Sequence, residues 1–358
     1  HVYPKNTLSG VDKQVTDKPA PGSGQNITYT ITTSIPKVDY PGGARIKRYE
    51  VVDRLDKRIN KDALAPVVKI VNGQQETPLA ETTDYTVITA EGTDYNWATI
   101  QLTEEGRRKA AEARHNGNGE TKVQATLTAT FDPKTVDLEG VLSNTAGLIP
   151  NDSPNFTWDP NNPGTTTDVP GIPTTPVLSK YGKVVVTKTG TDELADKTKY
   201  NGAQFQVYEC TKTGSGATLK DSNPATQTVD PLTIGGENTF TTAGQGTVAI
   251  SSLRANDYVD GVKKDALTDD DYYCLVETKA PEGYTLQADP IPFRVLAADA
   301  EGKVPTAVTV TDVPKNAGFR LPLTGANGVI FLTIAGALLV AGGAAIAYAN
   351  KRRNSAKH

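Results

Sequence analysis

Three ionisable side chains in the second half of the chain occupy positions where core residues are expected. In YYCLVETKAPEGY, Glu277 shares a strand face with Tyr273 and Leu275, because side chains alternate along a strand. Lys188 and Asp312 end the alternating valine runs of KVVVTKTG and AVTVTD. A charged group on an apolar face must find partners or lose its charge. The pattern therefore predicts that one lysine and two acids meet in a core.

A buried lysine beside a buried carboxylic acid can form an amide bond. Burial lowers the pKa of a lysine and raises that of a carboxylic acid, so the amine becomes a neutral nucleophile. A protonated Glu277 would polarise the carboxyl group of Asp312 and shuttle protons as water leaves. We therefore expect an isopeptide bond between Lys188 and Asp312; a buried, ion-paired cluster and frayed strand ends are the alternatives.

The first half of the chain repeats this arrangement with an amide. Lys13 shares a strand face with two valines in VDKQV. Asn144 shares a face with a leucine in VLSNTAGL, and Asp53 shares one with a valine in YEVVDRL. We expect these three polar side chains to face one core as well.

Short strands must position both groups of residues. Segments rich in Thr, Val, Ile and Tyr, separated by Gly, Pro, Asn and Asp turns, predict strands at 26–35, 46–55, 66–71, 84–89 and 97–102. A helix is predicted for 103–114, with Thr103 as its N-cap. Residues 159–176 are rich in Pro and Thr without periodicity, which predicts an extended linker. Strands at this spacing favour an all-β chain of two immunoglobulin-like β-sandwiches in tandem.

The composition argues against several functional classes. A net charge of −4 disfavours nucleic-acid binding. The three histidines are too scattered for a metal site or a triad, and no nucleotide-binding or hydrolase motif occurs. We therefore expect no cofactor and no enzymatic activity beyond the chain's own bond formation. The chain contains no Met, so we expect a fragment or a processed form.

The C-terminal end carries the signals of an exported protein. Residues 329–348 are uncharged and apolar, long enough for a helix to span a bilayer. KRRNSAK follows, which places the tail in the cytoplasm and the rest of the chain outside. In that location the two cysteines, Cys210 and Cys274, would pair.

The second half resembles the collagen-adhesin B-type domains of Gram-positive surface proteins. The resemblance lies in VVVTKTG, NGAQFQVYE, VTVTD and ETKAPEGY, which matches an ETxAPxGY box. In that family the Lys joins an Asn or Asp and the Glu catalyses. This implies a Lys188–Asp312 bond with Glu277 as the acid, and Asn316 is the alternative partner.

The first half resembles the A-type version of the same fold. The resemblance implies that Lys13 joins Asn144, with Asp53 as the catalytic acid. Because the partner is an amide, ammonia would leave instead of water. Asp56 is an alternative acid.

Two short motifs resemble those of sortase substrates. LPLTG precedes the apolar run and the basic tail, as in the cell-wall sorting signal of Gram-positive bacteria; its residues are Leu321, Pro322, Leu323, Thr324 and Gly325. The resemblance implies that a sortase attacks the Thr324 carbonyl and releases Gly325. VYPKN resembles the pilin motif, whose Lys5 would supply the amine that resolves the acyl-enzyme.

These resemblances together imply an actinobacterial shaft pilin at the cell surface, whose copies join head to tail through Thr324 and Lys5. The expected partners are a pilin-specific class C sortase, a housekeeping sortase, identical subunits, minor tip and base pilins, and peptidoglycan. A wall-anchored monomeric adhesin and a minor pilin are the alternatives. The expected domains are an A-type sandwich at 1–158, a linker at 159–176, a B-type sandwich at 177–318 and the sorting signal at 319–358.

Overall fold

The computed structural model describes most of the chain between residues 10 and 315. The described ranges are 10–17, 26–42, 45–117, 120–130, 138–150, 157–221, 228–234 and 236–315. Lys5, Asn316, the LPLTG segment and the apolar run 329–348 lie outside them. Within the described ranges, no helix is long and apolar enough to cross a membrane.

The first unit consists of short strands and one longer helix. Its elements are β1 (Val11–Thr16), β2 (Asn26–Ser34), β3 (Glu50–Asp56), β4 (Ala65–Asn72), β5 (Gln75–Pro78), β6 (Tyr85–Glu91), β7 (Tyr95–Leu102), α1 (Glu104–Asn116), β8 (Lys122–Thr130), β9 (Gly140–Ile149) and β10 (Ile172–Pro173). A short 3-10 helix spans Lys61–Ala63. The predicted helix is confirmed, and the Thr103 hydroxyl caps it by accepting a hydrogen bond from the Gly106 amide at 3.2 Å.

Alternating side chains give the first unit its core. One sheet has the strand order β1-β2-β8-β4-β5, and the other contains β9-β3-β7-β6. Along β2, buried and half-buried residues alternate, so Ile27, Tyr29 and Ile31 point inward. These residues join one apolar cluster with side chains of β3, β8 and β9. The first unit is therefore a sandwich, as predicted.

The second unit is also mainly strands. Its elements are β11 (Val177–Gly190), β12 (Gln204–Thr213), β13 (Gly216–Leu219), β14 (Phe240–Thr241), β15 (Thr247–Arg254), β16 (Tyr258–Val259), β17 (Val262–Lys263), β18 (Tyr272–Lys279), β19 (Ile291–Phe293), α2 (Ala297–Gly302) and β20 (Thr306–Asp312). A short 3-10 helix spans Lys197–Tyr200. One sheet has the order β13-β12-β18-β19, with β14 beside β12. Facing strands β11, β15 and β20 complete a core of Val, Ile, Leu and Phe side chains.

Strand β11 belongs to both units. Its first residues, 177–181, pair with β9 of the first unit, and its later residues pair with β15 and β20. Asp17 and Asp260 also join the units, because each backbone amide donates a hydrogen bond to the other's carboxylate at 2.9 and 2.8 Å. The units therefore share one continuous sheet instead of meeting only through a loop.

The segment before β11 lies against the first unit. Within the stretch expected to be a linker, β10 pairs with β9, and the Thr174 amide donates to the Ala146 carbonyl at 2.8 Å. The Trp158 ring packs 5.1 Å from the Trp97 ring, and the Thr93 amide donates to the Gly164 carbonyl. This segment covers the outer face of the sheet, which explains why six consecutive residues at the end of β9 are buried.

Candidate functional site

The second unit brings together the three residues that the strand pattern singled out. β11 and β20 run parallel, with Lys188 opposite Val310 and Gly190 opposite Asp312. Glu277 comes from β18 in the facing sheet. All three side chains are buried: the exposed fractions are 0% for Lys188, 2% for Asp312 and 4% for Glu277. One amine and two carboxyl groups therefore meet in the core between the sheets.

The contacts in this second-unit site are close but are not aligned as hydrogen bonds. Lys188 Nζ lies 3.0 Å from Glu277 Oε1 and forms a closer contact with Asp312 Oδ1. None of these three atoms, nor Asp312 Oδ2, makes a hydrogen bond of normal geometry to any described residue. Buried polar groups in native proteins are nearly always hydrogen-bonded, so such a group of exceptions requires an explanation.

The electrostatics of the second-unit site shift Glu277 toward its protonated form. Burial raises the pKa of Glu277 to about 6, and the nearby Asp312 carboxylate adds to this effect. The Gln287 amide, which donates to Glu277 Oε2 at 2.8 Å, and the Lys188 amine act in the opposite direction. A carboxyl group with this pKa can hold a proton and pass it on near neutral pH.

Two tyrosine rings cover the strand end next to the second-unit site. The rings of Tyr200 and Tyr284 pack 5.5 Å apart, and both hydroxyls donate to the Asp192 carboxylate, at 3.1 and 2.7 Å. Gly190 leaves room for them, because a Cβ atom there would lie 2.6 Å from the Tyr284 ring. Since Gly190 lies opposite Asp312, the rings shield that side of the site from water.

The first unit brings together its own predicted group across the two sheets. Lys13 lies on β1 in one sheet, while Asp53 and Asn144 lie on the neighbouring strands β3 and β9 of the other. The exposed fractions are 5%, 1% and 1% in that order. Lys13 Nζ lies 2.5 Å from Asp53 Oδ1. Asp56, the alternative acid, instead forms an ion pair with Arg58 at 2.8 Å.

Burial shifts both charged groups of the first-unit site toward their neutral forms. The pKa of Lys13 falls to about 8, because burial outweighs the attraction of Asp53. Burial also raises the pKa of Asp53, although Lys13 and then Asn144 oppose this. Neither polar atom of the Asn144 carboxamide makes a hydrogen bond of normal geometry to the described residues. Both polar atoms of the carboxamide are thus left unpaired in a site where burial makes the lysine easier to deprotonate.

One residue of the first-unit site was not singled out from the sequence. Lys13 Nζ lies 4.6 Å from the centre of the Tyr29 ring, and Tyr29 is buried. A tyrosine at an inward position of an alternating strand has the pattern of an ordinary core residue. No sequence signal singles it out, because its place diagonal to Lys13 on the same face follows from the pairing of β1 with β2.

The predicted disulfide is confirmed. Cys210 and Cys274 are bonded, with their Cα atoms 5.8 Å apart, and both are fully buried. The bond crosses the antiparallel pair β12 and β18 on the face opposite Glu277. It therefore holds the strand that carries the acid of the second-unit site.

Family profiles match two parts of the chain. Residues 313–357 match the LPXTG cell wall anchor motif. Residues 182–312 match a prealbumin-like fold domain. The second match ends at Asp312 and contains all three residues of the second-unit site.

Curated relatives cover the whole chain. It is 86% identical to fimbrial subunit type 1 of Actinomyces viscosus over 358 residues, which is 100% of this chain and 67% of that protein. It is 32% identical to fimbrial subunit type 2 of Actinomyces naeslundii, over 99% of this chain and 63% of that protein. The chain thus spans about two thirds of the length of these relatives.

Solved structures show the same architecture. The fimbrial protein FimP of Actinomyces oris is 85% identical, with a TM-score of 0.79 over 88% of this chain and 70% of that one. The full-length major pilin SpaD of Corynebacterium diphtheriae is 25% identical, with a TM-score of 0.59 over 86% of this chain and 68% of that one. The all-β, immunoglobulin-like fold is therefore confirmed.

Proposed function

Because this chain belongs to the family of sortase-assembled actinobacterial pilins and is a shaft subunit of a cell-surface pilus, we propose that its copies are joined covalently end to end. A pilin-specific class C sortase would cleave between Thr324 and Gly325. The Lys5 amine of the next copy would then resolve the acyl-enzyme, which leaves an amide and releases the sortase. A head-to-tail contact of this kind does not close on itself, so it extends a filament.

We further propose that a housekeeping sortase joins the finished fibre to peptidoglycan, and that minor pilins occupy its tip and base. The apolar run before the basic tail would hold each subunit in the membrane until cleavage. In this proposal the chain is divided into an A-type sandwich, a segment docked on it, a B-type sandwich and the sorting signal.

Each sandwich, we propose, also forms one internal isopeptide bond. In the second unit, the Lys188 amine attacks the Asp312 carboxyl carbon while Glu277 takes up and supplies protons, and water leaves. In the first unit, Lys13 attacks the Asn144 carboxamide, Asp53 carries the proton, and ammonia leaves. The observation that carries both proposals is the same: a buried lysine touches an acid, beside a carbonyl group that lacks hydrogen-bond partners.

The proposed bonds suit a fibre that is pulled along its length. Lys188 lies on the first strand of the second unit and Asp312 on the last, and these strands are neighbours in one sheet. An amide between them carries tension directly from strand to strand. The hydrogen bonds of residues 189–311 are then outside the path of the force.

The experiment that tests the pilus assembly compares Lys5→Ala with Lys37→Ala in the native strain. Lys37 is an exposed lysine of the first unit and serves as the matched control. We expect Lys5→Ala to abolish the high-mass ladder on a denaturing gel and Lys37→Ala to keep it. Mass spectrometry of wild-type pili should find a Thr324–Lys5 cross-link. A ladder that persists in Lys5→Ala would instead favour another attachment lysine, and wall-linked monomers in the wild type would favour an adhesin.

A further inference from the structure

Tyr29 lies against the lysine of the first-unit site. On β2, Tyr29 pairs with Val15 of β1. Lys13 is the next residue on the same face of β1, so Tyr29 lies diagonal to it. Its ring lies 4.6 Å from Lys13 Nζ, a distance at which a ring face attracts an ammonium group. Only 1% of the residue is exposed.

Tyr29 interacts electrostatically with the other two members of the site. Burial and then the Asp53 carboxylate raise its pKa well above the usual value, while the adjacent Asn144 carboxamide lowers it. The hydroxyl therefore keeps its proton at neutral pH. It is available as a hydrogen-bond donor next to a carboxamide whose oxygen has no such bond to the described residues.

The chemistry of amide exchange needs a donor that Asp53 cannot supply alone. When Lys13 attacks Asn144, negative charge develops on the carboxamide oxygen and requires stabilisation. Asp53 is already engaged with the amine, which lies 2.5 Å from its Oδ1 atom, and it must receive the amine's proton. The second unit has two carboxyl groups for these tasks. The first-unit site has one carboxyl group in contact with its lysine among the residues that the structure describes.

We propose that Tyr29 is the oxyanion donor of the first-unit site and that its ring holds the Lys13 amine in place. This rests on the proposed Lys13–Asn144 bond. The Lys13 ammonium gives one proton to Asp53, and its nitrogen attacks Cγ of Asn144. The carbonyl electron pair moves to the oxygen, which accepts the Tyr29 hydrogen bond. The Nδ2 nitrogen takes the proton from Asp53, the electron pair on the oxygen re-forms the carbonyl, and the C–N bond to Nδ2 breaks. Ammonia leaves, and the extra proton on the attacking nitrogen passes to Asp53.

The test measures how fast the bond forms in the newly made full-length chain. Cell-free synthesis is pulsed, samples are quenched in denaturant at set times, and the Lys13–Asn144 cross-linked peptide is quantified by mass spectrometry. We expect Tyr29→Phe, which keeps the ring, to slow formation of this bond by about 100- to 1,000-fold, the effect typical of losing one oxyanion donor. Tyr29→Leu, which also loses the ring, should be slower still.

Two controls separate this role from a general loss of structure. The Lys188–Asp312 bond forms in the same molecule, and its rate should not change in Tyr29→Phe. Tyr49→Phe removes a buried hydroxyl that donates to Thr33 and Ser34 in the same unit, and it should keep the wild-type rate at Lys13.

The outcomes distinguish this inference from the function on which it rests. If wild-type protein never forms the Lys13–Asn144 bond, the proposed bond itself is wrong. If wild type and Tyr29→Phe form it at the same rate, Tyr29 is a core residue only. Should Tyr29→Phe fail to fold, 3-fluorotyrosine placed at position 29 decides the question. Its more acidic hydroxyl should speed bond formation, and an unchanged rate would overturn the inference.

Discussion

Replacing Glu277 by Gln is the most direct perturbation of the second-unit site. Gln keeps the size of the side chain and can still accept the Gln287 amide bond, but it cannot exchange a proton with Lys188 or Asp312. We expect the fold to persist and the Lys188–Asp312 bond not to form. The matched control is Glu282→Gln, because Glu282 is an exposed residue of the turn that follows β18.

The size of the effect follows from the loop that the bond closes. Lys188 and Asp312 enclose about 120 residues, and the chain-entropy model assigns such a cross-link about 5 kcal/mol of unfolding free energy. For a unit of this size, that corresponds to a melting temperature lower by about 10–20 °C. The figure carries over from disulfides by analogy, because both cross-links act by restricting the unfolded chain.

The assay combines intact mass with thermal unfolding. Wild-type protein should be about 18 Da lighter for this bond than its sequence, and Glu277→Gln should regain that mass, after correction for the substitution. Calorimetry should then show the lower transition for the second unit only. A Glu277→Gln protein that keeps the mass deficit would show that Glu277 does not catalyse. A protein that loses the bond without losing stability would refute the loop argument.

Two further predictions concern the cross-links. Replacing both Cys210 and Cys274 by Ser opens a loop of about 65 residues and should lower the unfolding free energy by about 4 kcal/mol, measured by denaturant titration. The mass deficit of the Lys188–Asp312 bond should remain. Loss of that deficit would mean that the disulfide positions Glu277. In Asn144→Ala, which cannot form the first bond, Lys13 keeps its lowered pKa of about 8 in the folded state. Between pH 8 and 10.5 the unfolded state then binds more protons than the folded state, so the unfolding free energy should rise with pH over that window. The reference is a variant that carries both Lys13→Met and Asn144→Ala and lacks this group. If the unfolding free energies of the two variants depend on pH in the same way, the pKa of Lys13 is not lowered.

Strand alternation predicted that the three residues of the second-unit site face a core, and the structure brings them together. Lys188, Glu277 and Asp312 each continue an apolar face, and a period of two assigns such residues to a core without knowledge of strand pairing. The same rule placed Lys13 and Asn144. It works because parity is local and survives errors of one or two residues in a strand boundary.

Pairing between distant strands could not be read from the sequence. The parallel contact of β11 with β20 joins residues that are far apart in the chain, and alternation says nothing about which strands are neighbours. The role of Tyr29 was hidden for a related reason, since it depends on a diagonal contact between β1 and β2. The docking of 159–176 on the first unit was also missed. Its Pro and Thr composition shows where regular structure ends, but not what the segment contacts.

Because β11 is common to both sandwiches, it limits the rotation of one unit relative to the other. A loop would let one unit rotate about the other, but β11 continues the twist of one sheet from the first unit into the second. The Asp17–Asp260 pair fixes a second point of contact between the units. The rotation angle between the two units is then fixed within each copy of the chain. In a fibre, torsional freedom would be confined to the junctions between copies. The helical pitch of the whole filament would accordingly be set by a few residues around each intermolecular bond.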